Sequence, residues 1–233
     1  MSPAEFTALL PVIIIAAAAS ILTGVAGFYR KHGFIAVFTM TALLFSFASL
    51  FISAGPAPQA IARLLLIDQL ALFFMGLTFA AVFVLTLLSY GYNGGASGRH
   101  TEYYILLLLA SLGAAVLGAS CHLASFFLGL EVLSVSLFGL VAYMRDARGN
   151  EAGFKYMVLA GASSAFLVFG MALIYAEAGT MEFTAITALA ARGGGSVFGA
   201  GAAMVIAGAG FKLAVVPFNG WTPDVYEGAP APV

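Results

Sequence analysis

Between Phe6 and Phe28 the chain places no charged residue, and runs of this kind return along its length with only short polar breaks. An α-helix rises about 1.5 Å per residue, so about 20 such residues cross the roughly 30 Å hydrocarbon core of a bilayer. Seven segments meet or approach that length: Phe6–Tyr29, Phe34–Ser53, Leu64–Tyr90, Tyr103–Ala119, Leu123–Met144, Phe154–Ala176 and Val197–Val216. They predict an all-α, polytopic membrane helix bundle of about seven transmembrane helices, the seventh discontinuous. With 62% hydrophobic and 8% charged residues, an ordinary soluble domain is excluded. A net charge of −1 gives no electrostatic footprint for nucleic acid, so the expected environment is the lipid bilayer. The single cysteine, Cys121, excludes an internal disulfide; beside His122 it falls far short of a metal ligand set and reads as a small apolar filler. The first run is too long for a signal-peptide core and is expected to stay as the first span.

The connections carry the turn formers and the charges: Arg30-Lys31-His32-Gly33, Gly55-Pro56-Ala57-Pro58, Asn93-Gly94-Gly95, Arg145 to Asn150, and Arg192-Gly193-Gly194-Gly195. Arg30, Lys31, Arg99, Arg145 and Arg148 fall on the side reached after spans one, three and five, against Arg63 and Arg192 on the other. Basic loops stay inside, which predicts an N-terminus on the outer, periplasmic side of the cell inner membrane. Small residues mark expected packing faces: Ser20 and Gly24, Gly161 to Ser164, and Gly199, Gly201, Gly208 and Gly210. Asp68, near the start of the third span, reads as a structural carboxylate favoured by the helix dipole.

Ionisable residues deep in a span carry the functional argument. Glu131 lies about eight residues into the fifth span and Lys212 about fifteen into the seventh. A charge near the bilayer centre costs at least about 2.5–3.5 kcal/mol. Opposite charges about 4 Å apart regain roughly 4 kcal/mol at an effective dielectric near 20. A pair is therefore expected. Burial favours the neutral amine and a nearby carboxylate the charged one, so movement between the partners sets whether Lys212 holds its proton. Ser134, one turn after Glu131, is placed to hydrogen-bond the carboxylate or a relay water.

Pro217 lacks a backbone N–H and leaves the Leu213 carbonyl without its helical partner, beside that lysine. A break of this kind in lipid is tolerated where the freed groups are buried in protein or line a wet cavity. Thr222-Pro223-Asp224 then reads as a helix restart with Thr222 as N-cap. Two readings stand for this stretch: a transport site, or a helix ending at the interface with Lys212 snorkelling and Trp221 and Tyr226 as anchors. Lys155 is equally open, either an anchor beside the basic loop, paired with Glu151, or a relay group.

At Glu131, Lys155, Lys212 and the closing Trp221-Thr222-Pro223-Asp224-Val225-Tyr226-Glu227-Gly228-Ala229-Pro230-Ala231-Pro232-Val233, the chain resembles the antiporter-like subunits of proton-pumping NADH:quinone oxidoreductase, respiratory complex I. That family also occurs in Mrp-type cation/proton antiporters and membrane-bound hydrogenases. The last six residues point to its subunit N branch. Phe126 to Val233 carries the resemblance, including Glu151 to Tyr156 and Phe166 to Tyr175; residues 1 to about 118 match mostly in span number.

The resemblance implies a proton half-channel with Glu131 paired to Lys212 on a broken helix at Pro217, Ser134 in support and Lys155 along the route. Coupling to quinone reduction is implied with it, and so is the fold: helices one to three over residues 1–100, and an incomplete first antiporter-like repeat over 101–233. An N-terminal fragment of a longer inverted-repeat protein is expected. No cofactor or metal is expected in this chain; NAD, FMN, iron-sulfur clusters and quinone would belong to partner subunits, membrane and peripheral, of the assembly. Where family members usually carry a histidine and then an apolar residue, this sequence has Asn219 and Gly220. Any relay role of that histidine does not transfer.

Overall fold

The computed structural model describes residues 2–93 and 100–233, so Arg99 and the Gly94-Gly95 turn lie outside the described residues. Helix α1 runs Pro3–Ala26, α2 His32–Ser53, α3 Gln69–Asn93, α4 His100–Gly118, α5 Leu123–Val141 and α6 Ala147–Ala178; a short α7, Phe183–Ala191, precedes α8, Ser196–Lys212, and α9, Thr222–Gly228. Six of these are long and apolar enough to cross a membrane, and α8 is a shorter apolar helix of 17 residues.

Local chemistry fixes many of the ends. Ser2 and Glu5 form a reciprocal capping box at α1, with Pro3 in its first turn. Asp68 accepts from the Ala71 N–H at 2.8 Å, so it caps α3 from just outside the helix. His122 caps α5 through Nδ1, at 3.2 Å from the Ala124 N–H. Asp146 caps α6 at the Gly149 N–H, and Gly179, with φ of 66°, closes its far end. At 32 residues α6 is about 48 Å long, well over the bilayer core, so its ends stand in the polar zones.

The third span begins at Gln69, five residues later than Leu64. Leu65–Ile67 (β2) instead pairs antiparallel with Gln59–Ile61 (β1), through a tight turn in which Ala62 and Arg63 take φ of 49° and 60°. An unbroken Leu-Leu-Leu-Ile run fits strand and helix equally, and the Asp68 cap decides where the helix starts. The hairpin extends sideways: the Leu66 N–H donates to Ala119, the Cys121 N–H to Leu64, and the Phe183 N–H to Cys121. This small strand-like cap covers one end of the bundle, with Arg63 paired to Glu182 at 3.6 Å. Neither this cap nor α7 is foreshadowed by the residue pattern. Helix α5 also stops at Val141, short of Met144, and α8 stops at Lys212, short of Val216.

Two parts of the core follow from this order. Ile15, Leu22, Ile35, Leu43, Met75, Phe79, Tyr103 and Leu108 from α1 to α4 form one buried cluster. Leu123, Leu130, Leu167, Met171 and Ile174 from α5 and α6 form a second, against which Val205 and Ala209 of α8 pack. The expected small-residue faces divide. A Cβ on Gly24, Gly161 or Gly199 would meet open space, so those faces are unfilled within the chain, whereas one on Gly201 would meet the Gly170 carbonyl at 2.8 Å. Gly201 and Gly170 thus set a close crossing of α8 on α6, and Gly113 and Gly129, not foreseen, do the same for α4 on α5.

Candidate functional site

The fifth, sixth and eighth helices converge on one charged pair. Glu131 projects from the middle of α5, and Lys212 is the last residue of α8. The Lys212 Nζ lies 3.4 Å from Glu131 Oε1 and donates to Ser134 Oγ at 2.8 Å. Ser164 of α6 donates to the same Glu131 oxygen at 2.6 Å. The Lys212 side chain is 9% exposed and that of Glu131 28%, so the amine is the better enclosed partner. Such a cation is held by the carboxylate and hydroxyl together, because enclosure removes the water that would otherwise solvate it.

The serines divide the work differently from the sequence expectation. Ser134 accepts from the lysine instead of bonding the carboxylate, and passes its own proton to the Leu130 carbonyl at 2.8 Å. The carboxylate is served by Ser164, which the sequence placed among packing residues. Its one hydroxyl proton faces two acceptors, Glu131 at 2.6 Å and the Ala160 carbonyl at 3.0 Å. Next to it, Ser163 donates to the Gly208 carbonyl at 2.8 Å and ties α6 to α8 near the lysine. Two adjacent serines in a glycine-rich stretch were the only available signal, and polar small residues between helices serve packing as often as chemistry.

The break beside Lys212 is built before Pro217 is reached. The Ala214 N–H returns to Phe211 at 3.0 Å and the Val215 N–H to Gly210 at 2.9 Å, with Ala214 in the left-handed region at φ of 52°. This is a Schellman end with alanine where glycine is the usual residue. The residue before a proline avoids helical geometry, so Pro217 keeps the chain from resuming its helix over Val216. Trp221 completes the end by donating Nε1–H to the Phe211 carbonyl at 3.2 Å. It stacks on Tyr156 and Phe211, at ring centroid separations of 4.8 and 5.4 Å, and so braces the break from within the chain. Helix α9 restarts at Thr222, whose hydroxyl caps nothing and has no partner among the described residues; Trp221 occupies the N-cap position.

Lys155 belongs elsewhere. It is held by Glu151 at 2.8 Å and by Asp224 of α9 at 2.7 Å, with its side chain 42% exposed. The Glu151 partner is the expected one; Asp224, part of the expected helix restart, is also the ion partner that fastens α9 to α6. No hydrogen bond joins Lys155 to the Glu131–Lys212 pair among the described residues. Nor do the described residues contain a group of three or more His, Cys, Asp or Glu side chains able to hold a metal.

Six helices of spanning length, with a shorter apolar helix that ends where its lysine meets a carboxylate of α5, define a polytopic membrane protein with an enclosed ion pair between its helices. Residues 120–233 match the profile of the NADH:quinone oxidoreductase/Mrp antiporter transmembrane family. A protein from Nitrosospira multiformis named NADH-quinone oxidoreductase subunit N is 52% identical over 98% of this chain and 46% of its own length. In respiratory complex I from Thermus thermophilus, solved with bound aureothin, a chain 32% identical superposes with a TM-score of 0.81 over 95% of this chain and 48% of that one. An archaeal respiratory complex, the membrane-bound sulfane sulfur reductase, holds a chain 26% identical with a TM-score of 0.80, over 98% of this chain and 49% of that one. The chain belongs to the NADH:quinone oxidoreductase/Mrp antiporter membrane family, and the curated relatives reported for it carry the name subunit N. It spans about half the length of those relatives.

Proposed function

We propose that the chain is a proton-translocating membrane subunit of an NADH:quinone oxidoreductase, in which the Glu131–Lys212 pair takes up and releases the proton that quinone reduction drives. The observation that carries this reading is the enclosed Lys212 at the end of a broken span, touching both Glu131 and Ser134. Two states follow from the contact. With the pair closed, Lys212 keeps its proton; when Glu131 withdraws or becomes protonated, the enclosed amine loses its counter-charge and gives the proton up. Ser134 and Ser164 hold the partners in register, and Lys155 with Glu151 and Asp224 anchors α9 beside the route. Repeat organisation follows the same reading, with residues 1–100 as leading helices and 101–233 as the start of an antiporter-like repeat.

In this reading the chain lies in the cell inner membrane with its N-terminus outside, where the basic loops place it. NAD, FMN, iron-sulfur clusters and quinone are held by partner subunits, membrane and peripheral. The test is NADH-driven proton pumping in inside-out vesicles carrying the assembled complex: Lys212→Ala should abolish it while assembly persists. Normal pumping would sink the assignment. A second reading, a cation/proton antiporter or another respiratory complex, draws on the breadth of the family and the archaeal likeness. Sodium-dependent proton movement without NADH would favour it.

A further inference from the structure

Two cavities meet at a single polar side chain. The first, of about 260 Å³, is lined by Lys212 and Ser134 among apolar residues of α4, α5, α6 and α8. The second, of about 340 Å³, lies toward α9, against Trp221, Val225 and Tyr226. Leu137 and Tyr156 line both. Of these two, only Tyr156 can carry hydrogen bonds, since a phenol both donates and accepts. Its ring is buried between Trp221, stacked at 4.8 Å and 7°, and the edge of Phe138 at 4.8 Å. Among the described residues no group of the chain hydrogen-bonds its hydroxyl, so donor and acceptor are both open to a molecule entering the cavities.

We propose that Tyr156 is the relay and gate between the cavity toward α9 and Lys212. This rests on the reading of Lys212 as the proton-carrying group. A protonated water on the α9 side passes a proton to the Tyr156 oxygen as the Tyr156 hydroxyl hydrogen leaves to a water beside Lys212, which hands one of its own protons to the neutral amine; at the tyrosine one O–H bond forms and one breaks, and no phenolate accumulates. Lys155, its neighbour in sequence, is committed to Glu151 and Asp224 and lines neither cavity. The gate is tied to the site it serves, because the ring that holds Tyr156 is fastened to the end of α8: Trp221 bonds the Phe211 carbonyl, one residue before Lys212. A shift of that helix end moves the tryptophan, and with it the tyrosine.

The experiment is proton pumping per NADH oxidised in vesicles bearing the assembled complex. Tyr156→Phe keeps the stack on Trp221 and deletes only the hydroxyl; pumping should fall roughly fivefold or more, the scale of one lost hydrogen bond, with assembly unchanged. Leu137→Trp fills the shared wall without altering any polar group and should reduce pumping at least as much. If both variants assemble and pump normally while Lys212→Ala does not pump, the route lies elsewhere and this inference fails alone. If Lys212→Ala pumps normally, the underlying reading of the site fails instead. If Tyr156→Phe does not assemble, Leu137→Trp decides: blocked pumping supports the route and normal pumping overturns it.

Discussion

Among the described residues two lysine–carboxylate clusters have nearly the same chemistry and opposite surroundings. Lys155 bonds two carboxylates at 2.7 and 2.8 Å, yet its side chain is 42% exposed. Lys212 has a longer contact, 3.4 Å, to one carboxylate, and is 9% exposed. Distance alone would rank the first site above the second. Surroundings reverse that order, because a charge open to solvent is screened and loses little when its partner is removed, whereas the enclosed one is left with only a neutral hydroxyl. A group whose charge depends on one movable partner can change its protonation state. A half-exposed group held by two partners ties its helix to theirs.

The sharpest way to break this comparison is to truncate each lysine. Lys212→Ala is expected to eliminate proton pumping in assembled vesicles, and Lys155→Ala to leave most of it; equal losses would mean that enclosure does not distinguish the sites. Next in size is the coupling within the enclosed pair. Glu131→Gln and Lys212→Met should each destabilise the protein by about 3 kcal/mol, and the double variant by clearly less than their sum, because each single change strands a charge. Thermal unfolding in detergent measures this, and additive losses would show that the two charges do not communicate. The corresponding cycle between Lys155→Met and Asp224→Asn should give little coupling, and less at high salt.

A smaller effect is expected at the serine hydroxyls. Ser164→Ala removes the donor that holds Glu131 and should slow pumping roughly threefold to tenfold, with Ser164→Thr restoring it, since a threonine hydroxyl makes the same bond. Failure of the threonine variant to rescue would assign Ser164 to packing. The smallest effect is expected at the helix end. Ala214→Gly relieves the left-handed alanine and should stabilise the break by about 1 kcal/mol without altering pumping, whereas Pro217→Ala should permit the helix to extend past Lys212 and impair it. Pumping unaffected by Pro217→Ala would reduce the break to a packing feature.

Much of the architecture was legible because a bilayer leaves a chain few choices. Uncharged runs of span length must be helices, for lipid satisfies no backbone hydrogen bonds. Seven segments, uncharged or with a single charge, were therefore recognisable, and so were the isolated Glu131 and Lys212, whose cost at depth demands a partner. Ser134 was found by its spacing from Glu131, although not the atom it bonds. The resemblance of the closing residues to a family added the pairing with a broken helix, which spacing by itself leaves open. Leu64 to Ile67 was misread because periodicity cannot separate a short apolar strand from the first turn of a helix.

What the sequence alone determined is the class of environment and the identity of the deep charges, since both depend on the free energy of moving single residues from water into lipid. Tertiary structure decided which atoms meet. Ser163 reaches the Gly208 carbonyl because glycines at 170 and 201 let α6 and α8 close on each other, and Asp224 reaches Lys155 only because the chain doubles back after its break. Trp221 finds Tyr156 for the same reason. Contacts between residues some 30 to 80 positions apart depend on helix crossings and on the turn that ends α8, and no local pattern of residues encodes either one.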